Sequence, residues 1–502
     1  MNPLNHQLFV DNTAIESAVR LSRKYRPFQY NYGPVLEPEH PWEGTGTCIF
    51  GNVHRDPETG RFKMWYLGYS MGTRYGKQQF AWSNAAAEGL KPVQNLCYAE
   101  SSNGVHWEKP ELGLVEWHGS KANNVVATGW SNPSVIFDPH DPDPQRRYKV
   151  FRHGSEQKGN SQEERQGHYV AFSPDGFHLS EWQRIIPHFG DRHTYMYDPN
   201  LERPWVCFSR PPGYWAKYER RMVARIDSNN LIDWSEPEVI LVPDLEDPED
   251  CQFYSFVAFP YGDGYLGFLQ RMFARQDKLN VELVSSPDSR TWTRAGNRVA
   301  YFDNGPEGSW NSTWLQFAHN PPIDVYGDLY LYYDGRSGGH IGITPGPSAK
   351  IGLAMVCTDR FVSLFAGGVE GRLITKPFTC PGGRLMVNVN PCATVGRDFG
   401  SKMGLGYVRV EILDKDGNVI PGYSQDECIR WWRDYRKGVA VSWGGATDIN
   451  ALKGKEIKVK FYLCEADIYS FWCDTSEDVE TVDRSIEQAF VEGGLSSTAR
   501  KQ

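Results

Sequence analysis

The chain has 502 residues, 40% of them hydrophobic and 23% charged, with 17 Trp, 26 Tyr and 25 Phe, and so much apolar and aromatic side chain excludes a disordered protein. The formal net charge of −9 is spread along the chain, which offers no basic footprint to a nucleic acid or an anionic membrane. The 49 Gly and 32 Pro among these aromatics point to short strands joined by tight turns, and hence to an all-β protein.

The opening residues Met1-Asn2-Pro3-Leu4-Asn5-His6-Gln7 lack the basic and apolar regions of a signal peptide. No apolar run approaches the roughly 18 to 20 residues of a membrane helix. Ten cysteines stand singly, as buried thiols do in a reducing compartment. The expected location is cytoplasmic, or periplasmic or secreted if a leader has been removed.

A repeat organises most of the chain. A turn closed by an aromatic, Ser102-Asn103-Gly104-Val105-His106-Trp107, returns as Ser173-Pro174-Asp175-Gly176-Phe177-His178-Leu179. Looser copies are Asp227-Ser228-Asn229-Asn230-Leu231-Ile232-Asp233-Trp234, Ser286-Pro287-Asp288-Ser289-Arg290-Thr291-Trp292 and Thr358-Asp359-Arg360-Phe361-Val362-Ser363-Leu364. Upstream of the first three lie Asp56-Pro57, Asp138-Pro139 and Asp198-Pro199, each flanked by alternating apolar residues that read as half-buried antiparallel strands. Tyr261-Gly262-Asp263-Gly264 and Tyr326-Gly327-Asp328 mark the same corner in the fourth and fifth units. Each unit is long enough for four strands and cannot bury its faces alone, so the expectation is a five-bladed β-propeller over residues 1–370. Beyond it, Leu385 to Val389, Val408 to Ile420 with its Lys-Asp-Gly-Asn turn, Gly438 to Trp443 and Glu456 to Leu463 predict a C-terminal β-sandwich over 371–475. Residues 476–502 read as a tail, helical over Ser485 to Val491.

This arrangement resembles the five-bladed propeller glycoside hydrolases, the broad group of invertase-like fructosidases, arabinofuranosidases and mannoside phosphorylases. The segments carrying the resemblance are Trp42-Glu43-Gly44, Leu96 to Ser102 through Lys109-Pro110-Glu111-Leu112-Gly113, and Asp247-Pro248-Glu249-Asp250-Cys251-Gln252-Phe253-Tyr254. They look like an uncharacterised bacterial branch. The invertase-type Asn-Asp-Pro-Asn-Gly motif is absent, so the resemblance implies a reaction class rather than fructose specificity.

In that group the chemistry sits where the innermost strand of each blade begins, at the channel mouth. Glycosidic cleavage needs a carboxylic acid to protonate the leaving oxygen and a carboxylate acting as base or nucleophile. The acidic residues before the inner strands are Glu43, Asp191 and Asp250, which are therefore the catalytic candidates, with Asp250 or its neighbour Glu249 as acid and Glu43 as base or nucleophile. Trp42, Tyr254 and Trp310 are candidate platforms for a sugar face. His193, Gln252 and Asn311 are further substrate-binding candidates, and Arg271 and Asp334 with Arg336 are candidates for reaching sugar hydroxyls or an anionic substituent. The reading is an exo-acting glycoside hydrolase of an oligosaccharide or glycoside, with glycoside phosphorylase or a non-catalytic carbohydrate-binding propeller as alternatives. No organic cofactor or metal is called for, a channel Ca²⁺ being a minor alternative, and the sandwich offers a surface for homo-oligomers.

Three motifs are set aside. Arg55-Asp56-Pro57 matches the short invertase motif, but its Asp-Pro recurs at 138 and 198 and is explained by the turn. Gly68-Tyr69-Ser70-Met71-Gly72 has the nucleophile-elbow pattern without a following helix. Gly262 to Gly267 has the dinucleotide pattern inside a hairpin, where no helix N-terminus receives a phosphate. His188, Asp191 and His193 are close enough to suggest metal ligands, without a closed zinc pattern.

Overall fold

The computed structural model describes residues 6–26, 29–44, 46–69, 94–128, 131–154, 167–187, 189–213, 220–338, 349–391, 406–431 and 434–476. The fold is all-β. Helical structure among these residues is confined to three-residue turns such as Pro41–Glu43 and Pro144–Arg146, and no helix is long and apolar enough to cross a membrane. Ser485 to Val491, Cys392 and His188 lie outside the described residues.

Two compact units are present, one of residues 24–363 and the other of the residues up to 23 with those from 364 onward. This division differs from the 1–370 boundary read from the repeat. Gln7–Leu8 pairs with Ala466–Asp474, and Ile15–Val19 with Gly371–Thr375. Phe9 is fully buried between Phe461 and Phe471. An N-terminal strand that completes a distant sheet is tied by tertiary pairing, which no local repeat reports.

In the unit of residues 24–363, successive stretches of chain form antiparallel sets. The first comprises Gly46–Cys48, Phe62–Tyr69, Gln94–Ser101 and Val125–Thr128. The second is Ser131–Phe137, Tyr148–Gly154, Gly167–Ser173 and Gln183–Pro187, and the third Thr194–Tyr197, Trp205–Ser209, Val223–Ser228 and Glu238–Leu241. Cys251–Tyr261, Gly264–Phe273 and Lys278–Ser286 make the fourth. The fifth runs through Trp314–Phe317, Asp328–Arg336, Ala349–Cys357 and Gln29–Leu36. Parallel pairing of Leu279 with Trp314 joins the fourth set to the fifth, and pairing of Ala349 with Gly46 joins the fifth to the first.

The turn chemistry explains the spacing of these sets. Asp56 accepts the amides of Glu58 and Thr59 (both 3.0 Å) and the Lys63 ammonium (2.7 Å), so its carboxylate is consumed by the corner. Asp138 and Asp198 accept amides two residues on in the same way. In the closing turns, Ser101 and Ser173 Oγ each accept the amide of a left-handed glycine, Gly104 (φ 76°) or Gly176 (φ 84°), at 2.9 Å. Tyr261 pairs with Gly264 across a two-residue hairpin, so the Gly262 to Gly267 motif is a turn between strands.

The other unit has two sheets. One contains Arg384–Asn390, Tyr435–Ala440 and Ala466–Asp474; the other contains Gly371–Thr375, Tyr407–Asp414 and Glu456–Cys464. Their inward side chains, including Leu385, Val410, Trp443, Phe461 and Phe471, form one apolar cluster. Gly417 (φ 92°) sits in the Lys-Asp-Gly-Asn turn, where Asp414 accepts the Asn418 amide at 2.8 Å.

Candidate functional site

The candidate site forms where the first strands of several sets begin. The loop before Thr194 carries Asp191, Arg192 and His193. Ser209 Oγ pins it by donating to the Gly190 and Arg192 carbonyls at 2.9 and 2.8 Å. Gly190 is required there, since a Cβ would lie 2.6 Å from that of Arg210.

From this loop, Asp191 Oδ1 pairs with Arg210 Nη1 at 2.6 Å and its side chain keeps 49% of its surface open. Desolvation is nonetheless the largest influence on the carboxyl and pushes its pKa up. Arg210, then Arg192, His153 and Arg221, outweigh that influence and hold the carboxyl well below its ordinary value. Arg192 turns the other way and places its guanidinium 4.0 Å from the Phe50 ring centroid and 4.7 Å from that of Tyr254. Its Nη1 donates to Asn132 Oδ1 and its Nη2 to the Tyr254 hydroxyl, both at 2.5 Å. Arg210 also donates to the Tyr254 carbonyl at 3.1 Å, and Arg221 donates to Gln252 Oε1.

Arg336 lies 6.0 Å from the Phe50 ring centroid, with its Nε 3.3 Å from Asp334 Oδ2. Asp334 is fully buried, and its Oδ1 has no hydrogen-bond partner. Burial pushes its pKa up; Arg336 and then Arg192 oppose this without reversing it. Arg192 thus acts on both carboxyls. Burial likewise pushes the neighbouring Cys48 thiol and Tyr69 phenol up to about 12, so neither supplies an anion there.

The structure therefore gathers Asp191, Gln252, Tyr254 and Asp334 from among the sequence candidates. His193 lies just behind, fully buried, with its ring 4.4 Å from that of His168 and neither nitrogen hydrogen-bonded. Burial, then His168, hold its pKa well below the ordinary value, so it is a neutral ring. No three His, Cys, Asp or Glu side chains among the described residues are grouped to hold a metal ion.

The remaining candidates have these surroundings. Glu43 is fully buried, and its carboxylate accepts from four protein groups: the Tyr66 hydroxyl (2.6 Å), the Lys109 ammonium (2.8 Å) and the Glu39 and His40 amides (2.7 and 2.9 Å). No face of it is left for a substrate. Trp42 stacks on His40 at 4.5 Å and donates to Asn124, which occupies one face of the expected platform. Asp250 accepts the Arg275 amide at 2.8 Å, and the exposed Glu249 pairs with the Arg275 guanidinium at 2.9 Å. Arg271 belongs to a buried ionic network with Glu282, which Arg294 extends to Asp247. Trp310 stacks on Tyr333 at 5.7 Å, and Asn311 accepts from Ser309 (2.9 Å) and donates to the Tyr333 hydroxyl (3.3 Å), shaping the 305–311 loop.

Sequence reasoning missed Arg192, Arg210, Arg221 and Phe50. The available signal was arginine recurring at or beside strand ends in one unit, Arg192 before Thr194–Tyr197, Arg210 after Trp205–Ser209 and Arg221 before Val223–Ser228.

No protein-family model matches the chain, and no curated protein matches it. Solved structures similar to it include glycoside hydrolases and a structure from a family of mannoside phosphorylases. An N-acetylgalactosamine deacetylase from F. plautii, in complex with blood group B trisaccharide, aligns with TM-score 0.43 at 15% identity over 69% of this chain and 97% of its own. A structure from the GH130 family of mannoside phosphorylases, which contains glycoside hydrolases targeting β-1,2 mannosidic linkages in Candida mannan, aligns with TM-score 0.40 at 12% identity over 70% and 96%. A GH62 hydrolase in complex with xylotriose aligns with TM-score 0.42 at 11% identity over 66% and 98%.

Proposed function

We propose that the chain is an exo-acting glycoside hydrolase, with Asp334 as the acid and Asp191 as the carboxylate base or nucleophile, and that residues 24–363 form a five-bladed propeller carrying the pair. The observation that carries the reading is that two carboxyls sharing the Arg192 field are pushed in opposite directions, which is how one site obtains both an acid and a base. Asp334 would deliver its proton to the leaving glycosidic oxygen, and Asp191 would act on water or on the anomeric carbon from the other face.

The propeller reading is supported by contacts that run round the five sets. Asn52 of the first accepts the Val135 amide of the second at 2.7 Å; Asn132 of the second donates to the Asp191 carbonyl at the entry to the third. Thr194 of the third donates to the Phe256 carbonyl of the fourth at 2.6 Å, the Tyr254 ring packs on Trp314 of the fifth at 4.9 Å, and the His319 amide of the fifth donates to Gly51 of the first at 3.0 Å. Two sheets sharing one apolar cluster support a β-sandwich for the C-terminal unit.

The test is a screen of aryl glycosides and natural oligosaccharides, with NMR of the released sugar, on the wild type and on Asp191→Asn, Asp334→Asn and Asp250→Asn. Each of the first two substitutions is expected to lower kcat/KM by at least about 100-fold without loss of fold, and the third to leave it near wild type. Full activity in Asp191→Asn and Asp334→Asn would refute the assignment, and a wild type that cleaves nothing would favour the carbohydrate-binding reading. Phosphorolysis is the second reading because arginines beside the carboxylate suit a phosphate; turnover that requires inorganic phosphate would decide for it.

A further inference from the structure

Asn132 lies at a break in strand register. Ser131 faces His153 and Ser134 faces Phe151, so Ser131–Phe137 carries one residue more than its partner strand across that interval. Such a bulge takes a residue out of the ladder and re-aims its side chain. Asn132 is left-handed there, at φ 51°, and buried. Left-handed backbone in a non-glycine residue is strained, and it persists where the surrounding contacts over-determine it. Those contacts use both ends of the side-chain amide. Arg192 can only donate and the Asp191 carbonyl can only accept, so Asn132 Oδ1 takes Arg192 Nη1 at 2.5 Å and Nδ2 donates to the carbonyl. One side chain of the second set thus ties the main chain of Asp191 to the guanidinium of Arg192. Of the residues that readily turn left-handed, glycine has neither group and aspartate lacks the donor.

Asp191 precedes Arg192 in the chain and pairs with Arg210, while Arg192 donates to Asn132 and to the Tyr254 hydroxyl and lies over the Phe50 and Tyr254 rings. We propose that Asn132 is a positioning residue, whose amide holds the Arg192 guanidinium off its chain neighbour Asp191 and against Phe50 and Tyr254, where it serves both Asp191 and Asp334. The proposal rests on the reading of those two carboxyls as base and acid, so their titration is measured apart from turnover. Held in place, Arg192 joins Arg336 in opposing the effect of burial on Asp334. Released, it would turn to the Asp191 carboxylate and leave that opposition to Arg336. Arg210 and Arg221 share the Tyr254 ring with it. The other titratable side chains in its field among the described residues are His153, His193, His319, Cys48 and Tyr69, and burial favours the neutral form of each. Asp334 is therefore the group whose titration reports where Arg192 stands.

The experiment is an NMR titration of the isotope-labelled Asp334 carboxyl in the full chain, with steady-state kinetics on a glycoside that the wild type cleaves and thermal melting as the check of fold. Asn132→Gly accepts the left-handed backbone and loses both bonds; Asn132→Asp keeps the backbone, loses the donor and sets a carboxylate against Arg192. In both, Asp334 is expected to titrate at higher pH than in the wild type, in the first because Arg192 leaves and in the second because its charge is taken up. In Asn132→Gly, kcat should fall at least about tenfold with a smaller change in KM, while the melting temperature stays near that of the wild type. If Asn132→Gly does not fold, the aspartate variant carries the comparison. An Asp334 titration unmoved in both variants, or an undiminished kcat for Asn132→Gly in an enzyme that cleaves glycosides, would each overturn the proposal. A moved titration in a protein that cleaves no glycoside would uphold the hold on Arg192 and sink the hydrolase reading instead.

Discussion

Asp191 and Asp334 have the same side chain, and burial pushes both toward the neutral acid; what differs is the answer from their neighbours. Around Asp191, Arg210, Arg192, His153 and Arg221 reverse the effect, whereas Arg336 and Arg192 only reduce it at Asp334. The sign of the pH dependence follows. On the proposed roles Asp334 would work protonated, so the rate would fall as pH rises through its raised pKa, and Asp191 would work ionised, so the acid limb would lie below the ordinary carboxylate range. The expected kcat/KM profile keeps its plateau to unusually low pH, and in Asp334→Asn the alkaline limb disappears with most of the rate. An alkaline limb that survives in that variant would assign it to another group. At this scale the sequence showed which residues are acidic and which stand before a strand, Asp191 among them. It could not show that the Glu43 carboxylate is filled by Tyr66, Lys109 and two amides, because in the linear chain Glu43 looks like any acid in a Pro-rich loop.

The closing turns show how a short motif becomes a structural part. Ser101, Ser173 and Ser228 each accept the amide of a residue with positive φ three positions on, which is Gly104, Gly176 and Leu231 (φ 66°) in turn. The glycine carbonyls then receive hydrogen bonds from aromatics of a neighbouring set, Trp65 Nε1 at 3.0 Å on Gly176 and the Tyr332 hydroxyl at 2.8 Å on Gly104. In the fourth copy the position is Ser289, left-handed at φ 59°, fully buried and with an unpartnered hydroxyl. Ser289→Gly removes about 1–2 kcal/mol of left-handed strain and an orphaned hydroxyl, against about 0.4–1 kcal/mol of added unfolded-state entropy. Chemical denaturation should therefore show a gain of about 1 kcal/mol, and a loss would refute this account of the turn. The repeat was legible because each copy solves the same local problem with Ser, Asn or Asp and a left-handed residue.

Across the unit of residues 24–363, the five sets are held together by a few polar residues that bond to more than one neighbour. Asn52 donates to the His319 carbonyl at 2.8 Å and accepts from the Val135 amide at 2.7 Å and from Ser134 Oγ at 3.2 Å, touching the fifth and second sets from the first. It is 1% exposed, so water cannot replace these bonds. Asn52→Ala should cost about 2–3 kcal/mol in equilibrium unfolding, since it leaves a buried amide and a buried carbonyl unsatisfied; a cost under about 0.5 kcal/mol would show that the sets hold together without it. Nothing around Asn52 in the chain marks it, because its partners lie 82 to 267 positions away.

The sequence by itself determined the all-β class, the strand and turn spacing of the repeat, the structural role of the Asp-Pro corners and the placing of Asp191 at a strand start. These are local matters, set by side-chain alternation and by turn residues acting on their own backbone. Only the tertiary structure decided that Gln7–Leu8 and Ile15–Val19 complete sheets of the C-terminal unit, that Glu43 is consumed by Tyr66 and Lys109 together with the amides of its own loop, and that Arg192, Arg210 and Arg336 converge on Phe50 and Tyr254. The physical reason is the same in each case: the charge, burial and free valence of a side chain are properties of what surrounds it in space, and residues far apart in the chain supply those surroundings.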